Sequence, residues 1–282
     1  MFSFGIIDEL LADPRGTLML LLLALPGRML AISAHESAHG WMAERCGDPT
    51  ARMLGRVTLN PLKHLDPVGM LCMLLFGIGW AKPVPVNPRN YRGNYRKCDF
   101  LVSIAGVAMN MVMFVIGCIA MYAVIAAALA MVPVEASLYA ADGFFRTMAE
   151  GQPVLVDGQY YYLISDLMRY GLGLGDLLIV PVFGQTAGYL YEMLTYFVMT
   201  NLVLAVFNLI PIPPLDGYHV LNDLILKGRL YASRKLAGAG QAILYLALFS
   251  GVLTDLLGYV YDAVLSGVGS AASALLHAFG LF

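Results

Sequence analysis

The residues of this chain with the clearest chemical potential form the run His35-Glu36-Ser37-Ala38-His39. Residues four apart lie on one face of an α-helix, so the two imidazoles of an H-E-x-x-H sequence can bind a single metal ion. The glutamate next to the first histidine then lies beside the water that the metal activates, and it can accept a proton as a general base. The motif predicts metal-assisted hydrolysis, with His35 and His39 as ligands and Glu36 as base.

The motif lies in a segment, residues 17–39, that is apolar enough to cross a membrane. Two histidines and a glutamate could instead line the polar interior of a helix bundle without any metal. Ionisable side chains in a membrane-spanning helix cost roughly 2.5–3.5 kcal/mol each on insertion scales, so they need a compensating role. This cost favours metal binding.

The composition is that of an integral membrane protein, not of a soluble domain. Hydrophobic residues make up 59% of the 282 residues, charged residues make up 13%, and the mean hydropathy is +0.72. A bilayer core requires about 20 apolar residues in a helix. The segments that satisfy this requirement are residues 17–39, 100–132, 187–210 and 242–264. We therefore expect an all-α polytopic membrane protein with about four long transmembrane helices.

Shorter segments and the distribution of charge complete this picture. The apolar stretch 67–80 is too short to span and predicts a re-entrant or interfacial segment. Lys and Arg are concentrated in the connections 45–97 and 227–235, which the positive-inside rule places in the cytoplasm. The acidic connection 133–185 then lies outside and is long enough to be a structured insertion. We expect one membrane-embedded domain over residues 1–282 with this outer insertion.

A catalytic zinc ion takes three protein ligands and leaves a fourth position for water, so one further donor is needed. Asp216 is the candidate, near the end of the run N-L-I-P-I-P-P-L-D-G at residues 208–217. The prolines end the third predicted span there and place a carboxylate on irregular structure. An aspartate at this place could instead simply cap the next helix. Because the spans that carry His35 and Asp216 both run inward, the two motifs reach the same leaflet, which favours the ligand.

Four motifs occur in order along the chain. They are H-E-S-A-H at 35–39, G-D-P-T-A-R-M-L-G-R-V-T-L-N-P at 47–61, G-W-A-K-P-V-P-V-N-P at 79–88 and N-L-I-P-I-P-P-L-D-G at 208–217. With these motifs the sequence resembles the site-2 protease family of intramembrane zinc metalloproteases, in its small bacterial branch without a PDZ or CBS domain. The resemblance covers about residues 25–223 apart from the outer insertion.

The resemblance implies hydrolysis of peptide bonds in or near the transmembrane segments of membrane proteins, as in regulated intramembrane proteolysis. It implies one zinc ion per chain, bound by His35, His39 and Asp216, with Glu36 as base. The implied partners are a transmembrane protein substrate and the lipid bilayer of a bacterial plasma membrane, and no nucleic acid is expected.

Two asparagines and a histidine also correspond to this family pattern or lie beside it. The family asparagine at the position of Asn208 is thought to hold substrate or to stabilise the oxyanion, although a buried amide that satisfies broken-helix carbonyls is an equal alternative. The family element A-G-P-x-x-N appears as A-G-V-A-M-N at 105–110, without its proline, and implies that Asn110 faces the substrate. His219 follows Asp216 by three residues and could be a spare ligand or a solvated or capping side chain.

Residues 55–60 and 81–87 are rich in Val, Thr and Pro, which predicts short edge strands close to the metal on the cytoplasmic side. A protease must hold its substrate extended, and an exposed strand edge can do so through main-chain hydrogen bonds. The amides of Val84 and Val86 are the candidate donors, since Pro83 and Pro85 have none. A hairpin that only covers the active site is the alternative interpretation.

Two other functions are compatible with parts of this pattern. A non-catalytic metal-binding protein, or pseudoprotease, could keep His35, His39 and Asp216 but would not need Glu36. A metal transporter would need ionisable groups along a path, and the other predicted spans are nearly free of them apart from Glu192. Glu36 is therefore the residue that favours an enzyme.

Overall fold

The structure is a computed structural model, and it describes residues 10–76, 81–129, 131, 138–140, 154–156, 159–163, 179–227 and 234–278. The helices are α1 (Pro14–Arg45), α2 (Thr50–Met53), α3 (Pro67–Phe76), α4 (Tyr95–Leu129), α5 (Val180–Phe183), α6 (Gln185–Asn208), α7 (Asp216–Leu224), α8 (Arg234–Phe249) and α9 (Val252–Ala278). The 3-10 turns Pro61–Lys63 and Pro88–Asn90 lie in the connections.

Helix α1 has clear start and end signals. Asp13 caps its N-terminus by accepting a hydrogen bond from the amide of Gly16, and Pro14 occupies the first turn, where its missing N–H costs nothing. The helix has 32 residues, which corresponds to about 48 Å, more than a bilayer core requires. Near its C-terminal end the guanidinium of Arg45 lies 3.9 Å from the ring centre of Trp41. A tryptophan paired with a cation is typical of a membrane–water interface.

The predicted membrane helices are confirmed. Helices α1, α4 and α6 are each long and apolar enough to cross a bilayer. The fourth predicted span, 242–264, differs in detail, because it is made of α8 and α9, which are bent by 71° at a short break. Gly251 lies in this break with a φ of +82°, a conformation that ends a helix and suits glycine. Among the described residues there are thus three helices that could span a membrane, or four if the bent pair is one span.

The short apolar segment after α2 is also helical and too short to span. Helix α3 has ten residues, about 15 Å, which is half of a bilayer core. Asp66 caps it by accepting hydrogen bonds from the amides of Val68 and Gly69. The end of the predicted segment, residues 77–80, lies outside the described residues.

The expected short strands at 55–60 and 81–87 do not form. These residues adopt no regular pairing, and an isolated bridge joins Leu65 to Ala81 instead, next to a hydrogen bond from the Lys82 amide to the His64 carbonyl. Pro83 and Pro85 lack the N–H groups that a strand ladder needs, so pairing stops after one bridge.

Strands occur instead within the outer insertion 133–185. Strands β1 (Leu138–Ala140), β2 (Val154–Val156) and β3 (Gln159–Leu163) form an antiparallel sheet in the order β1-β3-β2. Between residues 132 and 178 the structure describes these strands alone.

The chain forms two compact units, and the first contains residues 1–115 and 196–258. In this unit Gly27 on α1 lies against the backbone of Phe197 on α6, and Ala31, Ala34 and Ala205 have no exposed surface. Small residues at such positions let helix backbones approach closely, which drives packing in membranes. The second unit, residues 116–195 and 259–282, has its own buried side chains, among them Met121, Ile125 and Tyr191.

The directions of the helices in the first unit follow from contacts at two levels. Gly27 meets Phe197 where both lie in the middle of their helices. Later in α1, His35 and His39 meet Asp216, which follows the end of α6, so α1 and α6 run in parallel. His39 contacts Val102 on α4, and Cys46 further along α1 contacts the earlier residue Cys98, so α4 runs antiparallel to α1. The alternating spans predict this arrangement, which brings the H-E-x-x-H motif and the aspartate to one level.

Candidate active site and metal centre

Three ligand atoms converge between the C-terminal half of α1 and the start of α7. The Nε2 atoms of His35 and His39 are 3.0 Å apart, and the Oδ2 atom of Asp216 lies 3.2 Å and 3.4 Å from them. Ligand atoms about 2.0–2.1 Å from a tetrahedral zinc ion are separated by about 3.3 Å. Within the described residues, these three side chains are the group of histidine, cysteine and acidic residues that could hold a metal ion.

Histidine tautomers also suit a metal at this place. The Nδ1 atom of His39 lies 2.7 Å from the carbonyl oxygen of Val102. A carbonyl can only accept, so Nδ1 carries the proton and Nε2 presents its lone pair to the centre of the site. Metal-binding histidines are usually oriented by such a second hydrogen bond. The Nδ1 atom of His35 has no such partner among the described residues. The residues present therefore fit a zinc ion.

Helix α4 closes one side of this group of ligands. A Cβ atom on Gly106 would lie 2.5 Å from Nε2 of His39 and 2.6 Å from Cε1 of His35. Any side chain at this position would therefore collide with the two imidazoles. The absence of a side chain lets the α4 backbone pack directly against the metal-binding edge of α1.

The proline-rich run after α6 places Asp216 in the first turn of α7. A Cβ atom on Gly217 would lie 2.2 Å from the carbonyl oxygen of Leu209, so the loop folds tightly back over the start of α7. The side chain of Asp216 is 20% exposed and those of His35 and His39 are 9% and 12% exposed. The site is therefore shielded but keeps an opening beside the carboxylate.

The carboxylate of Glu36 is hydrogen-bonded to a backbone amide. Its Oε2 atom accepts a hydrogen bond of 2.8 Å from the N–H of Val84, which is 48 residues further along the chain. In this structure the amide is donated to Glu36, so the expectation that it binds substrate stays a prediction, one that would require this hydrogen bond to open. Val84 is also 92% buried, since its exposed fraction is 8%. Val86 is half-buried, and its contact with substrate stays a prediction.

The two asparagines that were predicted to contact substrate differ in their hydrogen bonding. The amide nitrogen of Asn208 donates to the carbonyl oxygen of Leu204, one turn earlier in α6, at 2.9 Å. This bond satisfies a carbonyl at the end of a broken helix, which is the alternative that the sequence left open. Asn110 is fully buried on α4, and neither its oxygen nor its nitrogen has a partner among the described residues. Their roles toward substrate stay predictions.

His219 is not part of the ligand cluster. Its Nδ1 atom lies 3.3 Å from Oδ2 of Asp99, at the start of α4. This hydrogen bond raises the pKa of the His219 imidazole above its ordinary value, against the opposing effect of burial. The pair links α7, which carries Asp216, to α4, which carries Gly106.

Three features of the site were missed from the sequence. The Val102 carbonyl is a backbone group, which every residue has, so no residue type identifies it. The Val84 amide was singled out as a donor, but its partner Glu36 was not. Gly106 had a signal, because the A-G-V-A-M-N element was recognised, but its contact with the imidazoles needs the helix packing. Among side chains, the buried Asp48 and Arg56 of the G-D-P-T-A-R-M-L-G-R motif had no assigned role.

Comparison with known proteins agrees with this geometry. Residues 23–250 match the model of Peptidase family M50. The chain is 31% identical to a Bacillus subtilis protein named "Putative zinc metalloprotease YwhC" over 263 residues, which cover 92% of this chain and 94% of that protein. It is also 31% identical over 100 residues to "Putative zinc metalloprotease Rip2" of Mycolicibacterium smegmatis, covering 34% of this chain and 38% of that protein.

No solved structure matches the chain. The family model nevertheless covers most of its length, including the H-E-x-x-H motif, the Val84 segment and Asp216. The chain therefore belongs to peptidase family M50, the site-2 protease family.

Proposed function

We propose that this multi-pass membrane protein is a zinc metalloendopeptidase that hydrolyses peptide bonds in or near the transmembrane segments of other membrane proteins. The observation that carries the proposal is the convergence of His35, His39 and Asp216 at 3.0–3.4 Å, with Glu36 next in sequence to the first ligand. Membership of family M50 supports the same reaction class.

In this proposal His35, His39 and Asp216 hold one zinc ion. The ion would supply a Lewis acid that polarises the scissile carbonyl and makes water a better nucleophile. Glu36 accepts the proton of the attacking water and returns it to the leaving amine. The amide of Val84 orients the carboxylate by binding one of its oxygens, which leaves the other for the proton.

The depth of the site explains how water can take part. His35 lies six residues before Trp41, which is about 9 Å along the axis of α1. His39 lies two residues before Trp41, which is about 3 Å. Because the Trp41–Arg45 pair marks an interface, the ligands lie just inside the membrane boundary. A substrate helix would be cleaved near its cytoplasmic end, where unwinding is least costly.

Further contacts with substrate belong to the same proposal. Asn208 could turn its amide from the Leu204 carbonyl to an oxyanion, which a side-chain amide donor can stabilise. Asn110 and Val86 are the other candidate contacts.

A cleavage assay with and without bound metal distinguishes the protease from the non-catalytic alternative. The purified protein is reconstituted with a single-pass transmembrane peptide that carries a fluorophore and a quencher on opposite sides of its apolar segment. We expect cleavage that stops with 1,10-phenanthroline and returns when zinc is added back. A protein that binds zinc but does not cleave a panel of such peptides would support the pseudoprotease.

A further inference from the structure

Residues 81–87, whose Val84 amide binds Glu36, are bound in turn by a buried guanidinium. Arg56 is 9% exposed, and its Nη2 atom donates to the carbonyl oxygens of Lys82 at 2.6 Å and Pro83 at 3.2 Å. No carboxylate forms an ion pair with Arg56 among the residues that the structure describes. A buried guanidinium is costly unless its charge is compensated. Its Nε atom has no partner among the described residues, so the two carbonyls that bind Nη2 supply the compensation.

The Pro83 carbonyl and the Val84 amide belong to one peptide group. Arg56 binds the oxygen of this group and Glu36 binds its N–H, at 3.2 Å and 2.8 Å. In a trans peptide these two bonds point in opposite directions, so the group lies between a cation and an anion with its dipole aligned to both. Each charge strengthens the hydrogen bond that the other makes with the peptide.

Two further contacts, at Val84 and Asn87, fix the segment that contains this peptide group. The side chain of Val84 packs against α1 at Gly40, where an added Cβ atom would lie 3.1 Å from Cγ1 of Val84. Three residues later the amide of Asn87 donates to Oδ2 of the fully buried Asp48 at 2.6 Å. With Pro83 and Pro85 stiffening the backbone, the Val84 amide has little freedom to leave Glu36.

We propose that Arg56 is a positioning residue for the reaction, acting on Glu36 through the Pro83–Val84 peptide group. Its role rests on the proposed function of Glu36 as base. Arg56 touches neither the ligand atoms nor the substrate in this scheme. It fixes the carboxylate in the orientation that proton transfer needs, and it is separate from the residues that bind zinc.

The test uses full-length protein labelled with ¹⁵N-valine, in which exchange of the Val84 amide is followed by NMR. The variants are Arg56→Gln, Arg56→Lys and Glu36→Ala, with Arg52→Gln as the matched control, because Arg52 pairs with Glu44 on the exposed surface. We expect the Val84 amide to be protected in the wild type and in Arg52→Gln. Protection should be lost in Glu36→Ala and reduced in Arg56→Gln.

The same variants are assayed for zinc content and for cleavage of the reconstituted transmembrane peptide. Since the hydrogen bond to Glu36 is charge-assisted, we expect Arg56→Gln to lower kcat about 10- to 100-fold, with KM changed less than about twofold. Arg56→Lys should recover part of kcat, since one ammonium can bind one of the two carbonyls. Zinc content should stay at the wild-type level.

Adding Val84→Pro separates positioning from general stability. Proline removes the N–H that binds Glu36, so Val84→Pro and Arg56→Gln together should be no slower than Val84→Pro alone. Unchanged Val84 exchange in Arg56→Gln, multiplicative losses in the double variant, or loss of zinc or folding in Arg56→Gln would each overturn the proposal. A wild type that cleaves nothing would instead refute the proposed function, and amide exchange would still report on Arg56.

Discussion

Replacing Gly106 with alanine should disable the metal site while leaving the helix intact. The added Cβ atom would lie 2.5 Å from Nε2 of His39 and 2.7 Å from Nε2 of His35. Ordinary contact begins near 3.5 Å, so one imidazole or the α4 backbone must move by about 1 Å. Zinc–ligand distances tolerate only about ±0.2 Å. We expect a loss of zinc affinity and a fall in kcat of at least about 100-fold.

The stability of Gly106→Ala should fall much less than its activity. Alanine in a helix interior is favoured over glycine by about 0.5–1 kcal/mol, which offsets part of the local strain. The matched control is Gly258→Ala on α9, where an added Cβ atom meets nothing within 4 Å. It should keep both zinc and cleavage.

Zinc content by mass spectrometry, cleavage rate and thermal unfolding are measured on both variants. A Gly106→Ala protein with wild-type zinc content and a cleavage rate within about threefold of wild type would refute the packing of α4 against the imidazoles. Loss of activity in both variants would show that α-helical glycines matter for another reason.

Two further changes have outcomes that the structure fixes. Asp216→Asn should lower zinc affinity by more than the 10- to 100-fold typical of residues that only support a ligand, and an isothermal titration that finds normal affinity with reduced thermal stability would favour the capping role. His219→Asn should remove a pH-dependent contribution to the free energy of unfolding, because Asp99 raises the pKa of His219 in the folded state. This stabilisation is complete below about pH 6.5, and it is lost as the pH rises through the higher folded-state pKa. Unfolding temperatures of wild type and His219→Asn between pH 5.5 and 9 should therefore converge at alkaline pH, and a constant difference would contradict the Asp99 contact.

The convergence of the three candidate metal ligands could be predicted from the sequence, because local geometry determines most of their arrangement. Residues 35 and 39 share a helix face in any α-helix. Asp216 is remote in sequence, but the alternation of spans and the proline break limit where it can lie. Helix periodicity and the alternation of spans thus predict the same depth in the membrane for all three side chains.

The environment of Glu36 could not be predicted, because it depends on tertiary contacts between groups that sequence patterns do not mark. The prolines around Val84 correctly singled out its amide as a usable donor. The acceptor that the structure shows is the carboxylate of Glu36, 48 residues earlier. The packing of residues 81–87 against Gly40 on α1 brings these two groups together.

The fourth span shows a similar limit. Its hydropathy predicts one continuous helix over 242–264, yet the chain bends by 71° between α8 and α9. Ser250 and Gly251 lie in the middle of that segment and were a local signal for the break. Hydropathy averages over such a pair, because two residues change the mean of a 20-residue window very little.

The central claim is that the zinc site and the base are separate parts of one hydrolytic centre. The most direct test measures zinc content and peptide cleavage on the same preparations of wild type, Glu36→Gln and the double variant His35→Ala/His39→Ala. We predict about one zinc ion per chain with cleavage in the wild type, the same zinc without cleavage in Glu36→Gln, and neither in the double variant. Cleavage by Glu36→Gln at the wild-type rate, or full zinc content in the double variant, would contradict the account.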